Sequence, residues 1–469
     1  MIAEQPAPAS EAGVVKWLRE NLFSGPVNTI LTLIGLTVIY YMVSSAWPWF
    51  RHSVWNASSL HECKEIVTSN YGEGAVGACW AMLRERWHQF LFGFYPPEEY
   101  WRPTFAFGLL FVALAPVLYF GNRKTCSVVV GTVAVLLLVY FLPHEGHPVA
   151  KFVAAASLAA LGALAWFAPK RLLWFTPLYP ALTFWLLWGG SVWTPVFALA
   201  GVAVGVLAYR LAGSLGTVMA TSIGFLATVL WWLFLSGSVA AQVNGLLPIG
   251  LEHVDSDRFG GFLLAVVIGV TAISGSLPLG ILLALGRRSD MFLIKSLCVG
   301  FIEAIRGVPL ITLLFTASLL LNYFLPPGTT FDIILRVIIM VTIFAAAYLA
   351  EVVRGGLAAL PRGQYEAADA LGLDYWKAQR LIVMPQALKI SIPGIVSVFI
   401  GLFKDTTLVS LVGLMDPLRG VTQVVRSDIA WKGIYWEPYI FVGAIFFAFC
   451  FGMSRYSMYL EQKLKREHR

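Results

Sequence analysis

The stretch Tyr365-Glu366-Ala367-Ala368-Asp369-Ala370-Leu371-Gly372 is followed, after nine residues, by Ile382-Val383-Met384-Pro385. Together they belong to a polar, basic segment that separates two long apolar runs. Apolar residues recur in this segment at helical intervals beside a polar face of Asp369, Lys377 and Arg380. The apolar stripe consists of Ala367, Ala370, Leu371, Tyr375, Ala378 and Ile382. We therefore expect a short helix, a turn at Gly372 and a second short helix, forming a knob that fits a partner's groove. An amphipathic loop helix without a partner is the alternative.

The composition on both sides of this segment is that of a membrane protein. Hydrophobic residues make up 58% of the 469 residues and charged residues only 13%. Apolar runs of about 20 residues, the length that spans a bilayer as a helix, recur along the chain. The predicted fold is all-α and polytopic, with about 12 transmembrane helices. They are predicted at residues 28–50, 104–121, 126–142, 149–168, 172–190, 194–210, 216–236, 259–286, 296–325, 331–353, 393–412 and 438–457.

A polar stretch at residues 237–258 divides the chain into two predicted regions. Residues 1–258 are expected to hold about seven helices and a polar loop at 51–103. Residues 259–469 are expected to form a core of five helices with the polar segment at 354–392 between them. Charged residues lie inside or beside the spans of the second region, and charges at membrane depth usually serve function. We therefore expect function to concentrate there.

Basic residues predict the orientation. If the spans alternate from a cytoplasmic amino terminus marked by Lys16 and Arg19, the other basic loops and the basic tail also fall inside. Both termini are therefore predicted to be cytoplasmic. The loop at 51–103 is placed outside although it carries five basic residues beside six acids. The net charge of +7 is accounted for by these loops and requires no nucleic-acid partner.

Two cysteines, Cys63 and Cys79, lie in this polar loop. An oxidising compartment would allow them to form a disulfide, and the sequence leaves the bonded and free states open. Cys126, Cys298 and Cys450 lie in apolar runs and are expected to be packing residues. The stretch from His144 to His147 lacks metal-ligand spacing and a third ligand, so we expect a surface turn and no metal site.

The order Glu-Ala-Ala, three residues, Gly, nine residues, Ile, one residue, Met-Pro resembles the EAA loop of ABC importer permeases. Met384 stands where that family usually has Leu. The resemblance implies that the loop docks into a nucleotide-binding subunit and transmits its closure to the membrane helices. It assigns the coupling role to Glu366, Ala367, Ala368, Gly372 and Pro385.

Further blocks narrow the resemblance to the polar amino acid uptake family. Residues 305–310, 346–356, 385–388 and 401–410, reading IRGVPL, AAYLAEVVRGG, PQAL and GLFKDTTLVS, are similar to that family. Residues 17–23 and 93–99, reading WLRENLF and GFYPPEE, resemble its general L-amino acid permease branch. The apolar insert at about 104–236 is longer than that branch usually has.

The resemblance implies a permease subunit of an importer for polar or general L-amino acids that works by alternating access in a bacterial inner membrane. Its implied partners are an ABC ATPase, a second permease subunit in a heterodimer, a soluble amino acid binding protein and membrane lipid. The chain has no G-x-x-x-x-G-K-[ST] loop, so ATP and Mg²⁺ are expected on the ATPase and no cofactor on this chain. No enzyme activity is expected.

Two other classes of function fit parts of the sequence less well. An ion-coupled secondary transporter would explain twelve spans and intramembrane charges, but its expected internal repeat is not visible in the sequence. A membrane-bound enzyme would need a constellation of catalytic side chains, and none is evident.

Candidate residues of the solute path are charged or hydroxylated. Lys404, Asp405, Thr406 and Thr407 offer partners for the carboxylate and ammonium of an amino acid. The alternative is that Lys404 and Asp405 pair with each other or with the backbone of a neighbouring helix. Glu303, Arg306 and Glu351 are further candidates, although Glu303 with Arg306 and Glu351 with Arg354 are spaced to pair on one helical face.

Overall fold

The structure is a computed structural model that describes residues 13–120, 122–143, 148–320, 323 and 331–466. It is almost entirely α-helical, which confirms the predicted fold class. In the described part before residue 259, the helices are α1 Gly13–Asn21, α2 Pro26–Arg51, α3 Leu60–Tyr71, α4 Ala81–Phe92, α5 Trp101–Leu118, α6 Arg123–Phe141, α7 Pro148–Phe167, α8 Pro169–Leu172, α9 Phe175–Trp188, α10 Trp193–Leu211, α11 Thr217–Leu230 and α12 Ser236–Leu246. Two short strands, β1 Gly190–Ser191 and β2 Gly250–Leu251, pair antiparallel.

The described helices after residue 259 lie in the region predicted to form the core. They are α13 Gly261–Arg287, α14 Phe292–Gly307, α15 Leu310–Phe315, α16 Ile333–Ala358, α17 Gly363–Ala370, α18 Tyr375–Ala378, α19 Met384–Asp405, α20 Pro417–Ser427 and α21 Trp436–Arg466. Short 3-10 segments lie at Pro97–Glu99, Ala212–Leu215, Ser256–Arg258 and Thr406–Val412, and π-helical turns at Trp231–Leu235, Thr316–Leu320 and Gln379–Val383. Asp332 caps α16 because its carboxylate accepts from Ile334 N at 2.9 Å and Leu335 N at 3.1 Å.

The described residues contain nine helices long and apolar enough to span a membrane, or ten if one bent pair counts as a single span. The predicted number of about twelve is therefore not confirmed. The predicted span 172–190 is shortened because α8 and α9 are separate helices. In α7 only the stretch Lys151–Phe167 counts as an apolar helix, and it is too short to be one of the nine. The predicted span 296–325 bends by 101° between α14 and α15. Pro309 lies at that bend, where a proline cannot continue the helix.

The predicted loop at 51–103 contains two helices, α3 and α4, of 12 residues each. The sequence at the start of α3 contains a helix-capping pattern, a serine followed three residues later by a glutamate. Ser59 accepts from Glu62 N, and the Glu62 carboxylate accepts from Ser58 N at 2.7 Å and Ser58 Oγ at 2.6 Å. The hydrogen bonds from Ser58 lower the pKa of Glu62 below its ordinary value.

The chain divides into two compact units, which are described separately. The first comprises the described residues up to His88 together with Val421–Ile445. Cys63 and Cys79 are joined there by a disulfide with a Cα–Cα distance of 5.9 Å. Cys79 N donates to Glu437 Oε1 at 2.7 Å, and Trp431 Nε1 donates to Glu85 Oε2 at 3.0 Å. These contacts connect the polar loop with the start of the last long helix and with the segment that precedes it.

The second unit comprises Gln89–Gly420 and the described residues from Phe446 onward. Its core packs α13, α16 and α19 against one another through small residues. A Cβ at Gly280 of α13 would lie 2.7 Å from Leu349 Cβ of α16, and one at Gly394 of α19 would lie 2.7 Å from Val352 Cγ1. Close helix approach of this kind is typical of membrane bundles.

Residues of both predicted regions contribute to this second unit. Gly261 N donates to Met415 O at 2.7 Å, and Gly93 and Phe259 form a β-bridge. A Cβ at Gly260 would lie 2.8 Å from both Gly93 Cα and Met415 O. The start of α13 is thus in direct backbone contact with the segment that follows α4.

Candidate functional site

The polar segment around Gly372 folds as a helix, a glycine turn and a second helix, as predicted. We call residues 361–382 the knob. Gly372 ends α17 with a φ of +68°, which is the left-handed conformation that favours glycine. Leu373 N donates to Ala368 O at 3.2 Å and Gly372 N donates to Asp369 O at 2.9 Å, the pattern of a Schellman C-cap.

Asp374 starts the second helix of the knob. Its side chain accepts from Lys377 N at 3.0 Å and forms an ion pair with Lys377 Nζ at 2.9 Å. The side-chain hydrogen bond from Lys377 is the main reason why the pKa of Asp374 lies below its ordinary value. This cap fixes the point at which the helix restarts after the glycine turn.

The predicted coupling residues do not all face outward. Glu366, Ala367, Gly372 and Pro385 are exposed, whereas Ala368 is fully buried. Ala368 therefore packs inside this chain and is not available for direct contact with a partner. One turn of helix separates it from Tyr365, which also faces inward.

The exposed surface of the knob is apolar to an unusual degree for a polar loop. Leu371 is 72% exposed, Trp376 66% and Leu381 63%. The Glu366 carboxylate lies among these residues in the sequence and has no hydrogen bond or ion pair within the described part of the chain. Exposed apolar patches of this kind mark contact surfaces for another protein or a membrane.

Two side-chain contacts attach the knob to the helical core. Arg288 Nη1 donates to Tyr365 Oη at 3.1 Å, and the Arg288 guanidinium lies 5.6 Å from the centre of the Tyr365 ring. Gln386 Nε2 donates to Gln364 Oε1 at 2.8 Å. Tyr365 also packs against a buried apolar cluster from α13, α14, α16 and α19. The sequence gives no local signal for the role of Arg288, because 77 positions separate it from Tyr365.

The second helix of the knob continues into a membrane span without a break in helical structure. Helical residues run from Tyr375 to Val412, so the span predicted at 393–412 begins much earlier. A π-helical turn at Gln379–Val383 joins α18 to α19, and the Gln379 Oε1 atom is buried there without a partner among the described residues. A movement of the knob would therefore reach α19 directly.

A cluster of charged side chains connects α13, α14 and α16; we call Arg287, Glu303, Arg306, Glu351 and Arg354 the ionic cluster. Arg287 Nη1 lies 2.9 Å from Glu303 Oε1 and 3.2 Å from Glu351 Oε2. Arg354 donates from Nε to Glu351 Oε1 at 2.9 Å and also contacts this oxygen through Nη2. Arg306 Nη1 lies 3.8 Å from Glu351 Oε2.

One of the two ion pairs suggested by sequence spacing is wrong. Glu351 pairs with Arg354, but Glu303 pairs with Arg287 of another helix and Arg306 faces Glu351. Spacing within a helix shows which side chains can meet, whereas the neighbouring helices decide which of them do. The Arg306 guanidinium lies 5.5 Å from the centre of the Tyr348 ring.

The candidate path residues at 404–407 lie at the end of α19. Thr406 is buried and its hydroxyl donates to Phe403 O at 2.8 Å, and the Thr407 hydroxyl donates to Lys404 O at 2.9 Å. Lys404 is exposed and Asp405 half-buried, and neither side chain forms an ion pair or hydrogen bond within the described residues. The two charges therefore do not neutralise each other through a direct contact.

Groups of three or more His, Cys, Asp or Glu side chains that could hold a metal ion are absent from the described ranges. His144 and His147 lie outside those ranges.

Comparison with known proteins adds independent observations. Residues 276–466 match the family described as binding-protein-dependent transport system inner membrane component. The chain is 60% identical over 470 residues to the glutamate/glutamine/aspartate/asparagine transport system permease protein BztC of Rhodobacter capsulatus, covering 100% of this chain and 98% of that protein.

A second relative and one solved structure are also similar. The inner membrane amino-acid ABC transporter permease protein YhdY of Escherichia coli is 35% identical over 466 residues, covering 99% of this chain and 97% of that protein. A crystal structure of an amino acid ABC transporter with histidines is 29% identical, with a TM-score of 0.38, and the match covers 43% of this chain and 91% of that one.

Proposed function

The chain belongs to the inner-membrane permeases of amino acid ABC transporters, and from this premise we propose that it carries glutamate, glutamine, aspartate and asparagine by alternating access. As a permease subunit of such an importer it is not an enzyme, and ATP is hydrolysed in a separate subunit. The four solutes are those in the name of the relative with 60% identity. The relatives reported above are ABC permeases, and nothing in them supports an ion-coupled carrier.

The knob is the proposed docking site of the ATPase, which would bind ATP and Mg²⁺. The observation that carries this proposal is the continuous helical path from Tyr375 to Val412, which joins an exposed apolar surface to a membrane span. ATP-driven closure of the partner would push on Leu371 and Trp376, and α19 would move with them. Glu366 offers an unpaired carboxylate for a basic group of the partner.

The orientation follows from the same contact. Arg288 lies in the basic turn after α13 and touches Tyr365 of the knob, so these two elements lie at one end of the bundle. Basic loops face the cytoplasm, and an ATPase is found there. We therefore place the knob and the Arg287–Arg288 turn on the cytoplasmic side. The basic residues of the sequence favour a cytoplasmic position for both termini as well. A soluble amino acid binding protein would deliver its load on the opposite side of the membrane.

A second permease subunit would complete the translocation path, and we propose a sister subunit rather than a copy of this chain. Support for a neighbouring subunit of either kind comes from α14, whose face bearing Leu293 and Leu297 is exposed. A helix that buries only Ile302 within the described chain has apolar surface left for a neighbour.

The coupling proposal is tested by Gly372→Val in the complex with its ATPase, reconstituted in proteoliposomes. Valine strains the positive φ of Gly372, although a Cβ there meets nothing within 4 Å, so the turn should distort without a clash. We expect uptake to fall while ATP hydrolysis and the amount of protein in the membrane persist. Glu366→Lys should have the same effect by reversing the charge at the docking surface.

Gly74→Val is the matched control, because Gly74 also has a positive φ, of +83°, and open space around it, but lies in the polar loop. It should leave the number of solutes moved per ATP unchanged. Unchanged uptake in both Gly372→Val and Glu366→Lys would mean that the knob does not couple the ATPase to transport.

A further inference from the structure

The ionic cluster carries an excess of positive charge. It contains three guanidinium groups and two carboxylates, and both carboxylates are already engaged by Arg287. Arg354 takes the other oxygen of Glu351. Arg306 is left with a single ion pair at 3.8 Å, which is too long for a hydrogen bond.

Arg306 therefore lacks hydrogen-bond acceptors for its guanidinium among the described residues. Its side chain is only 31% exposed, and its Nε atom is buried without a partner among the described residues. The group makes no hydrogen bond to another described side chain or carbonyl, although it lies over the Tyr348 ring. Arginine presents five N–H donors in a rigid fork, and a buried donor without an acceptor is costly.

The geometry of a guanidinium specifies the group that would complete this site. A carboxylate binds the fork through two parallel hydrogen bonds, which are stronger than bonds between neutral groups. The Tyr348 ring covers one face of the guanidinium and the Nε atom is buried, so the Nη groups are the donors that such a ligand would reach. The surplus positive charge in the cluster favours a ligand with a net negative charge.

We propose that Arg306 binds the carboxylate of an acidic amino acid during its passage and thereby makes the permease distinguish glutamate and aspartate from their amides. The inference rests on the proposed function, since it divides the four proposed solutes into two classes. An amino acid with a carboxylate side chain carries one net negative charge, which complements the surplus charge of the ionic cluster. Glutamine and asparagine are neutral overall and gain less from it.

The test compares glutamate and glutamine uptake by the complete transporter in proteoliposomes, with ATP inside and the loaded binding protein at saturating concentration. Saturation removes the binding protein's own affinity from the comparison. In Arg306→Gln we expect the glutamate uptake rate to fall about tenfold and the glutamine rate by less than about twofold. Arg306→Lys keeps the charge and should recover a large part of the glutamate rate.

Lys295→Gln is the matched control, since Lys295 is an exposed cation on the same helix and lies outside the ionic cluster. It removes the same charge and should change neither rate. A purely structural role of Arg306 would lower both rates equally, and that outcome overturns the proposal, as does an unchanged ratio of the two rates.

Loss of the second permease subunit or the ATPase from the purified Arg306→Gln complex would show that the missing carboxylate belongs to a partner subunit, and would also overturn it. A different result would contradict the proposed function itself, namely that the wild-type complex takes up neither glutamate nor glutamine.

Discussion

At the scale of single residues, Lys404 and Asp405 are charges beside a membrane span without a direct partner in the described chain. Unpaired charges are expensive at membrane depth and usually face a cavity, a partner or a solute. The adjacent hydroxyls of Thr406 and Thr407 donate hydrogen bonds to carbonyl oxygens one turn earlier. The ammonium of Lys404 is therefore the group in this stretch best suited to a passing carboxylate.

Lys404→Ala should lower amino acid uptake by the assembled complex by about tenfold, because one charge-assisted hydrogen bond to the solute is lost. Uptake in proteoliposomes and co-purification of the partner subunits measure activity and assembly separately. Lys404→Arg, which keeps the charge, should retain activity. If Lys404→Ala instead prevents assembly, the residue stabilises the structure and does not contact the solute.

At the scale of helices, the knob is connected to α19 and to α13, and the two connections are of different kinds. It continues directly into α19 through the π-helical turn, whereas α13 is reached only through the Arg288–Tyr365 contact. Since α13 and α16 pack closely at Gly280, a force on Arg288 would pass to both helices. The contact between Arg288 and Tyr365 is thus a second route by which closure of the ATPase would move the bundle.

Tyr365→Phe removes the hydrogen bond to Arg288 but keeps the ring and its packing. We expect the number of solutes moved per ATP to fall by roughly fivefold, the effect of about 1 kcal/mol for one hydrogen bond. Tyr365→Leu, which also loses the cation–π contact, should lower this ratio further. The ratio of uptake to phosphate release measures the effect.

Tyr71→Phe removes the same atom from an exposed tyrosine in the polar loop and serves as the control. An unchanged ratio in both Tyr365 variants would exclude Arg288 from the coupling route.

At the scale of the whole molecule, the compact second unit includes residues from both regions predicted from composition. The backbone contacts among Gly93, Gly260 and Met415 bring the segment after α4, the start of α13 and the segment after α19 together. Tyr456 of α21 also donates to Leu118 O of α5. The segment after α4 and helix α5 therefore stabilise the core helices of this unit, even though they bear no residue that we connect with the solute.

Gly260→Val should destabilise the protein by roughly 1–3 kcal/mol, the usual cost of overpacking a close contact. The φ of Gly260 is −164°, which any residue adopts, so the loss would come from the missing space and not from backbone strain. Thermal unfolding of the detergent-solubilised protein measures it. Gly245→Val, at a position where a Cβ meets nothing within 4 Å, should change stability much less. Equal stability of both variants would show that the close contact of Gly260 with Gly93 and Met415 does not contribute to stability.

The sequence alone determined the membrane class, the helical fold, the family and the knob with its turn at Gly372. These properties depend on composition and on spacing over a few residues, which the chain shows directly. The tertiary structure decided that Ala368 faces inward, that Glu303 pairs with Arg287 and that Arg288 holds Tyr365. It also reduced twelve expected spans to nine or ten among the described residues. Such outcomes depend on which helices become neighbours, and contacts between residues distant in sequence leave no periodic signal in a single chain.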